Sequence, residues 1–171
     1  MDKLRARIRH VPDFPKPGIL FYDISTLLND RDGFRDTIAS LADPYRDSQI
    51  EQVVGIESRG FILGAAVASA LGTGFVPIRK PGKLPSKCHR AEYALEYGSD
   101  TLEIHEDAVR SGERVLVVDD VLATGGTARA AAQLVRAAGG SVVGLAFLIE
   151  LNFLHGREKL NGEAVHSVLQ Y

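Results

Sequence analysis

The sequence predicts an α/β fold, a mainly parallel sheet with helices on both faces, and three observations predict it. The apolar runs Val53–Ile56, Val115–Val118 and Val142–Ile149 are as continuous as strands buried on both sides require. The first two each pass through a polar, Gly-containing turn into a segment of helical composition. Strands that alternate with helices need crossover connections, which place neighbouring strands parallel.

With 171 residues the chain reads as a single domain, 1–171, large enough to bury a sizeable core. Its 45% hydrophobic and 25% charged residues are those of an ordinary globular protein. Twenty Lys and Arg against 22 Asp and Glu leave a net charge of −2, so no global field favours nucleic acid. Cys88 stands alone, which excludes an intrachain disulfide or a Cys-based zinc site and fits a cytoplasmic protein. The longest apolar run, Phe61–Leu71, is too short for a bilayer. Lys3, Arg5, Arg7 and Arg9 precede no apolar signal core, so neither secretion nor a membrane is expected.

Asp2–Arg9 is expected to be a short amphipathic helix, with Leu4 and Ile8 on one face. Three prolines make His10–Gly18 a stiff loop, because each removes a donor and pushes its predecessor toward an extended conformation. Ile19–Asp23 then presents apolar residues straight after it, either as a lid on the core or as a wall for a base. Arg31–Leu41 carries Phe34, Ile38 and Leu41 at helical spacing, and Asp43–Pro44 stops it. Gln52–Ile56 is a strand, Glu57–Gly60 a turn, and Phe61–Leu71 a helix. Gly74–Arg79 is a second strand, which runs into the basic loop Arg79–Pro85. Ser86–Asp107 alternates as two β segments joined at Gly98–Asp100, an antiparallel flap expected to project from the body. Cys88 and His89, adjacent on a strand, point to opposite faces and make no nucleophile and base pair.

Val115–Val118 is expected to deliver Asp119 and Asp120 to a strand's carboxyl end. The Thr124–Thr127 turn then opens the helix Thr127–Ala138, whose first amides are unsatisfied donors and which Gly139–Gly140 terminate. Backbone amides, two hydroxyls and a helix dipole can surround a phosphate there. The adjacent carboxylates suit Mg²⁺, vicinal ribose hydroxyls, or both through water. No Gly-Lys-Ser/Thr ends this turn, and no Gly-x-Gly-x-x-Gly follows the first strand, so Walker-type and dinucleotide sites are disfavoured. Ser141–Glu150 is a long strand, Gly156–Leu160 a helical turn, and Val165–Leu169 the last strand.

Val117–Thr127 resembles the phosphoribosyl-pyrophosphate signature of type I phosphoribosyltransferases. Phe14–Ile19, Glu57–Phe61, Arg79–Pro85, Leu95–Gly98 and Gly156–Leu160 resemble, in order and spacing, the adenine phosphoribosyltransferase family. The resemblance covers nearly the whole chain. It implies the type I phosphoribosyltransferase fold with a short N-terminal hood, and transfer of phosphoribose from phosphoribosyl pyrophosphate to adenine. AMP and pyrophosphate are the products, Mg²⁺ is the cofactor, and a homodimer is the expected assembly. Ala123, Thr124, Gly125, Gly126 and Thr127 would hold the 5′-phosphate, and Asp119 and Asp120 the ribose hydroxyls. Arg59, Lys80 and Lys83 would receive pyrophosphate, with Arg79 a further candidate, across a dimer interface. The resemblance also implies a non-proline cis peptide at Glu57–Ser58. Leu20 and Phe21 would wall the base, and the backbone of Leu20 and Tyr22 would read its edge. Family members commonly carry arginine where this chain has Tyr22. Glu96 would handle a purine ring proton or hold the base in its reactive tautomer, and Tyr97 would cover the site. A xanthine- or guanine-type transferase and a non-catalytic regulator on the same fold are the alternatives.

Overall fold

The computed structural model describes residues 2–94 and 98–171. In chain order it comprises α1 (Asp2–Arg5), β1 (Arg9–Pro12), β2 (Leu20–Asp23), α2 (Ser25–Asn29), α3 (Arg31–Ala42), β3 (Gln52–Ile56), α4 (Arg59–Leu71), β4 (Gly74–Ile78), β5 (Cys88–Ala94), β6 (Ser99–His105), β7 (Arg114–Leu122), α5 (Gly126–Ala137), β8 (Ser141–Glu150) and β9 (Val165–Gln170). Five strands form a parallel sheet in the order β4-β3-β7-β8-β9. No helix among the described residues is long and apolar enough to cross a membrane.

The sheet has a core on each face. On one, α3 and α4 cover Val53, Leu116, Val118, Ala146 and Leu148, with Leu4, Ile8 and Leu27 filling in from the amino-terminal segments. On the other, α5 covers Val54, Val115, Val117, Leu145 and Phe147 through Ala131, Leu134 and Val135. Residues of both cores alternate along β7 from Val115 to Val118, the period of two that a strand imposes. Local signals set the helix ends. The Asp30 side chain accepts from Gly33 N at 2.6 Å to start α3, and Gly72, at φ +70°, ends α4.

This strand order positions the site. From β3 the chain passes through α4 to β4 on one side, and from β7 it passes through α5 to β8 on the other. The gap between the carboxyl ends of β3 and β7 is therefore the point where the winding reverses, and connections on both sides lead away from it.

The structure differs from the sequence reading in four places. The first helix stops at Arg5, and Arg9–Pro12 pairs antiparallel with Leu20–Asp23, so part of the expected loop is a strand. The hairpin forms because Pro12 sits at its last pair, where its missing N–H breaks no ladder. Asp13 then turns the chain at φ 58° and accepts from Gly18 N at 2.7 Å. Next, β7 continues to Leu122, so Asp119 and Asp120 lie within the strand rather than at its end. Both helices beside the site start early, at Arg59 and Gly126, which draws Arg59 and Gly126 into first turns. Finally, the flap does not simply project. Leu102 and Ile104 of β6 are buried in the core, and Arg79 and Glu103 exchange both backbone hydrogen bonds, at 2.9 and 2.8 Å.

Candidate active site

A cavity of about 460 Å³ opens at this reversal point. Its floor is the end of β3 and β7, one wall is Ile19–Tyr22 at β2 of the hood, and another is the flap hairpin, through Leu102 and, nearer the tip, Tyr93.

Two helix starts face it. The α4 start follows the Glu57–Ser58 turn, whose peptide bond is cis, and the α5 start follows Gly125, at φ +80°. Neither cap residue, Ser58 nor Gly125, supplies a side-chain cap. Each first turn therefore keeps amide donors and the positive end of a helix dipole for an outside anion. Two such starts at the ends of neighbouring strands suit a ligand with an anionic group at either end.

Between them lie the acidic pair and Arg59. Arg59 Nε bonds Asp120 Oδ2, while Asp119 Oδ1 accepts from Asp120 N at 2.9 Å. Asp119 also backs onto α4. A Cβ at Gly60 would lie 2.7 Å from its Oδ1 and 3.0 Å from Val118 O, so only glycine lets the helix start come this close. Burial, and then the charge of Asp120, raise Asp119 well above the usual carboxylate range. Burial pulls Arg59 down, but Asp120, then Asp119 and Asp23, outweigh it, and the guanidinium is raised. Arg59 also lies over the Phe21 ring, 5.7 Å from its centroid, and so links the acidic pair to the hood.

The hood presents different faces on consecutive residues. Phe21 meets Phe14 edge-on at 5.1 Å and faces Arg59. The Tyr22 ring turns instead to His10 (5.2 Å) and Tyr171 (4.2 Å). Among the described residues β2 pairs with β1 alone, so its other edge has no ladder partner there.

The basic loop is pre-paired. Glu57 binds Lys83 Nζ, Lys80 N at 3.1 Å and Arg79 Nε at 3.3 Å. Burial opposes ionisation there, yet these three donors draw Glu57 down to about 2. Lys80 Nζ bonds Asp100 on β6, which also accepts from the Tyr93 hydroxyl at 3.3 Å.

Of the residues singled out in the sequence, Leu20, Phe21, Tyr22, Arg59, Lys80, Asp119, Asp120, Ala123, Thr124, Gly125 and Thr127 line this one cavity. Arg79 and Lys83 do not. They gather on Glu57, and Arg79 leans over the Phe61 ring at 5.8 Å. Gly126 lines a neighbouring cleft with Arg129 and Lys159. Glu96 and Tyr97 lie outside the described residues. The sequence reading missed Ser58, Tyr93, Leu102, Asp100 and Leu151. Tyr93 and Leu102 carried only a strand alternation, and Leu151 only its place after a long strand. Among the described residues no group of three or more His, Cys, Asp or Glu could hold a metal. Asp119 and Asp120 offer two buried carboxylates of the hard-oxygen kind that magnesium prefers, fewer than an all-protein metal cage needs.

Residues 25–166 match the model of the phosphoribosyl transferase domain. The adenine phosphoribosyltransferase of Solibacter usitatus is 63% identical over 171 residues, which cover 100% of this chain and 99% of that protein. The crystal structure of adenine phosphoribosyltransferase from Thermoanaerobacter pseudethanolicus superposes with a TM-score of 0.97 at 49% identity, covering 99% of each chain. That of the Saccharomyces cerevisiae enzyme, complexed with adenine and an imino-altritol bisphosphate, gives 0.93 at 42% identity, covering 98% of this chain and 97% of the other. The chain belongs to the adenine phosphoribosyltransferase family of phosphoribosyltransferases.

Proposed function

We propose that this chain transfers the 5-phosphoribosyl group of phosphoribosyl pyrophosphate to adenine, giving AMP and pyrophosphate in purine salvage. One observation carries the reading: two uncapped helix starts face a single cavity, with a carboxylate pair between them and an apolar wall beside them. Ribose 5-phosphate joined to pyrophosphate has the matching order of anion, diol and anion.

In this reading the Ala123–Thr127 loop, Gly126 included, takes the 5′-phosphate, and Asp119 and Asp120 accept from the ribose hydroxyls. The α4 start, Arg59 and Lys80 take the pyrophosphate. Lys83 and Arg79 join it once their carboxylate partner Glu57 is outcompeted. The bond from C1′ to pyrophosphate breaks, and purine N9 supplies the new bond to C1′ and loses its proton. Positive charge at the ribosyl centre is greatest between these events, beside the acidic pair and away from bulk water. Glu96 handles the purine proton and Tyr97 covers the site, as the resemblance implies. Closure of the flap over the cavity excludes the water that would otherwise intercept the ribosyl centre. Magnesium, when bound with the substrate, neutralises pyrophosphate charge. Asp119 and Asp120 are the residues that would hold it.

The base rests on Leu20 and Phe21, and the unpaired edge of β2 reads its polar rim. A backbone carbonyl there accepts from a 6-amino group and repels a 6-oxo lone pair. The ring of Tyr22 is engaged with Tyr171, so its contribution to the base runs through its backbone.

The outward face of α4 favours a homodimer. From Gly60 to Leu71 the helix carries no charge, and Ile62 is 47% exposed on it. Sedimentation should give twice the chain mass, and a monomeric enzyme of full activity would refute the assembly. The proposed location is the cytoplasm.

A panel of bases tests the activity. With Mg²⁺ and phosphoribosyl pyrophosphate, AMP should form from adenine much faster than nucleotide forms from hypoxanthine, guanine or xanthine. Preference for a 6-oxo purine would overturn the assignment of the base.

A further inference from the structure

The segment after β8 lies behind the phosphate loop. It makes two 3-10 turns, Asn152–Leu154 and Gly156–Leu160, and Gly156 is buried where the second begins. A Cβ on Gly125 would fall 2.2 Å from the Gly156 carbonyl oxygen. A Cβ on Gly156 would fall 2.0 Å from the Ala123 carbonyl oxygen and 2.9 Å from Gly125 N. Two stretches of backbone thus meet where neither tolerates a side chain, and the contact spans the first half of the loop.

The turn behind is anchored. Arg157 grips the buried Glu150, the last residue of β8, through Nε to Oε1 at 2.9 Å and Nη2 to Oε2 at 2.5 Å. Its Nη1 donates to Val165 O at 3.0 Å, which adds a tie to β9. Leu160 closes the turn inside the core that also holds Leu122 and Ala128. A loop containing Gly125 and Gly126 has wide conformational freedom, and amides converge on an anion only if that freedom is removed beforehand.

We propose that Gly156, held in place by the Glu150–Arg157 pair, is a positioning residue for the 5′-phosphate loop. It supports Ala123–Gly125 from behind and sets affinity for the phosphate end of the substrate without touching it. The proposal rests on the reading of that loop as the 5′-phosphate site.

The test uses the full chain, with ribose 5-phosphate as the probe in equilibrium dialysis and steady-state kinetics alongside. Gly156→Ala should weaken ribose 5-phosphate at least tenfold and raise KM for phosphoribosyl pyrophosphate to match. At the same time kcat should change less than threefold, and KM for adenine at saturating co-substrate less than twofold. Arg157→Ala should show a three- to tenfold effect of the same kind. Arg157→Lys, which keeps the charge but not the paired contact, should recover part of it. If Gly156→Ala fails to fold, the two Arg157 variants carry the test. Affinity for ribose 5-phosphate within twofold of the parent in the folded variants would overturn the proposal, as would equal rises in both KM values. Thr127→Ala separates the two readings. If it binds ribose 5-phosphate as the parent does, the loop is not the phosphate site and both readings fall. If it weakens binding while the Gly156 and Arg157 variants do not, only the positioning role falls.

Discussion

Replacing Asp119 by asparagine probes the carboxylate pair at the centre of the cavity. Asp119 is 9% exposed and Asp120 6%, and Arg59 is the cation bonded to the pair, through Asp120. With both carboxylates ionised, one negative charge is left over, so burial and the charge of Asp120 raise Asp119 well above 3.8. A carboxyl raised in this way gives the folded state stability that is fully present below about pH 3.8 and is lost as pH climbs through the raised value. Within that window the slope approaches about 1.4 kcal/mol per pH unit. Asparagine keeps the acceptor that Asp120 N uses at 2.9 Å but has no proton to lose. Asp119→Asn should therefore be at least as stable as the parent at pH 7.5, with an advantage that shrinks on acidification. Urea denaturation across pH measures this. Ligand binding should move the opposite way. A hydrogen bond to a charged acceptor is worth about 1.5–3 kcal/mol against about 0.5–1.5 for a neutral one. At a pH above the raised value, where Asp119 is ionised, AMP affinity should accordingly fall by about 1–2 kcal/mol, roughly 5- to 30-fold. The reasoning fails if the variant is less stable than the parent at pH 7.5 by more than about 1 kcal/mol. It also fails if AMP binds the variant and the parent alike.

Other perturbations reach other parts of the fold. Glu57, held near 2 by its three donors despite burial, contributes stability above about pH 4.5 that is lost as pH falls toward 2. Glu57→Gln should lose that contribution at neutral pH and converge with the parent in acid, and acid-unfolding curves that stay parallel would contradict it. The Tyr171 ring packs on Tyr22 at 4.2 Å under the Arg5 guanidinium at 4.3 Å, behind the hood. Removing an aromatic partner of this kind costs about 0.5–1.5 kcal/mol beyond lost area. Tyr171→Ala should raise KM for adenine several-fold and leave that for phosphoribosyl pyrophosphate within twofold, and the reverse pattern would place the hood elsewhere. Leu102, 1% exposed, ties the flap to the core. Leu102→Ala should cost about 2–5 kcal/mol in chemical denaturation, whereas a loss below 1 kcal/mol would mean that the flap base is not core.

The parallel sheet was legible because its strands are buried on both faces and read as unbroken apolar runs. Gln52–Ile56 and Ser141–Glu150 have the limits the sequence suggests. The turn that opens α5 was legible because its chemistry is local: glycines, threonines and a helix start within a few residues. The strand Arg9–Pro12 was not, since four residues with a proline carry no periodic signal and pair only because β2 lies alongside. Nor was the support at Gly156, for a glycine buried against a distant loop looks in sequence like any turn glycine.

By itself, then, the sequence determined most of the strands and helices of the central sheet, and that polar, glycine-containing turns lead from two of those strands into helices. Periodicity and turn chemistry act over a few residues. Tertiary structure alone decided that β3 and β7 are neighbours, which brings the two turns to one cavity and sets Arg59 against Asp120, 61 positions away. It also decided that Lys83 and Arg79 rest on Glu57 rather than lining the cavity, and that Tyr22 turns toward Tyr171. Those outcomes depend on strand order and on which charges meet in a shared low-dielectric space, and no local pattern encodes either.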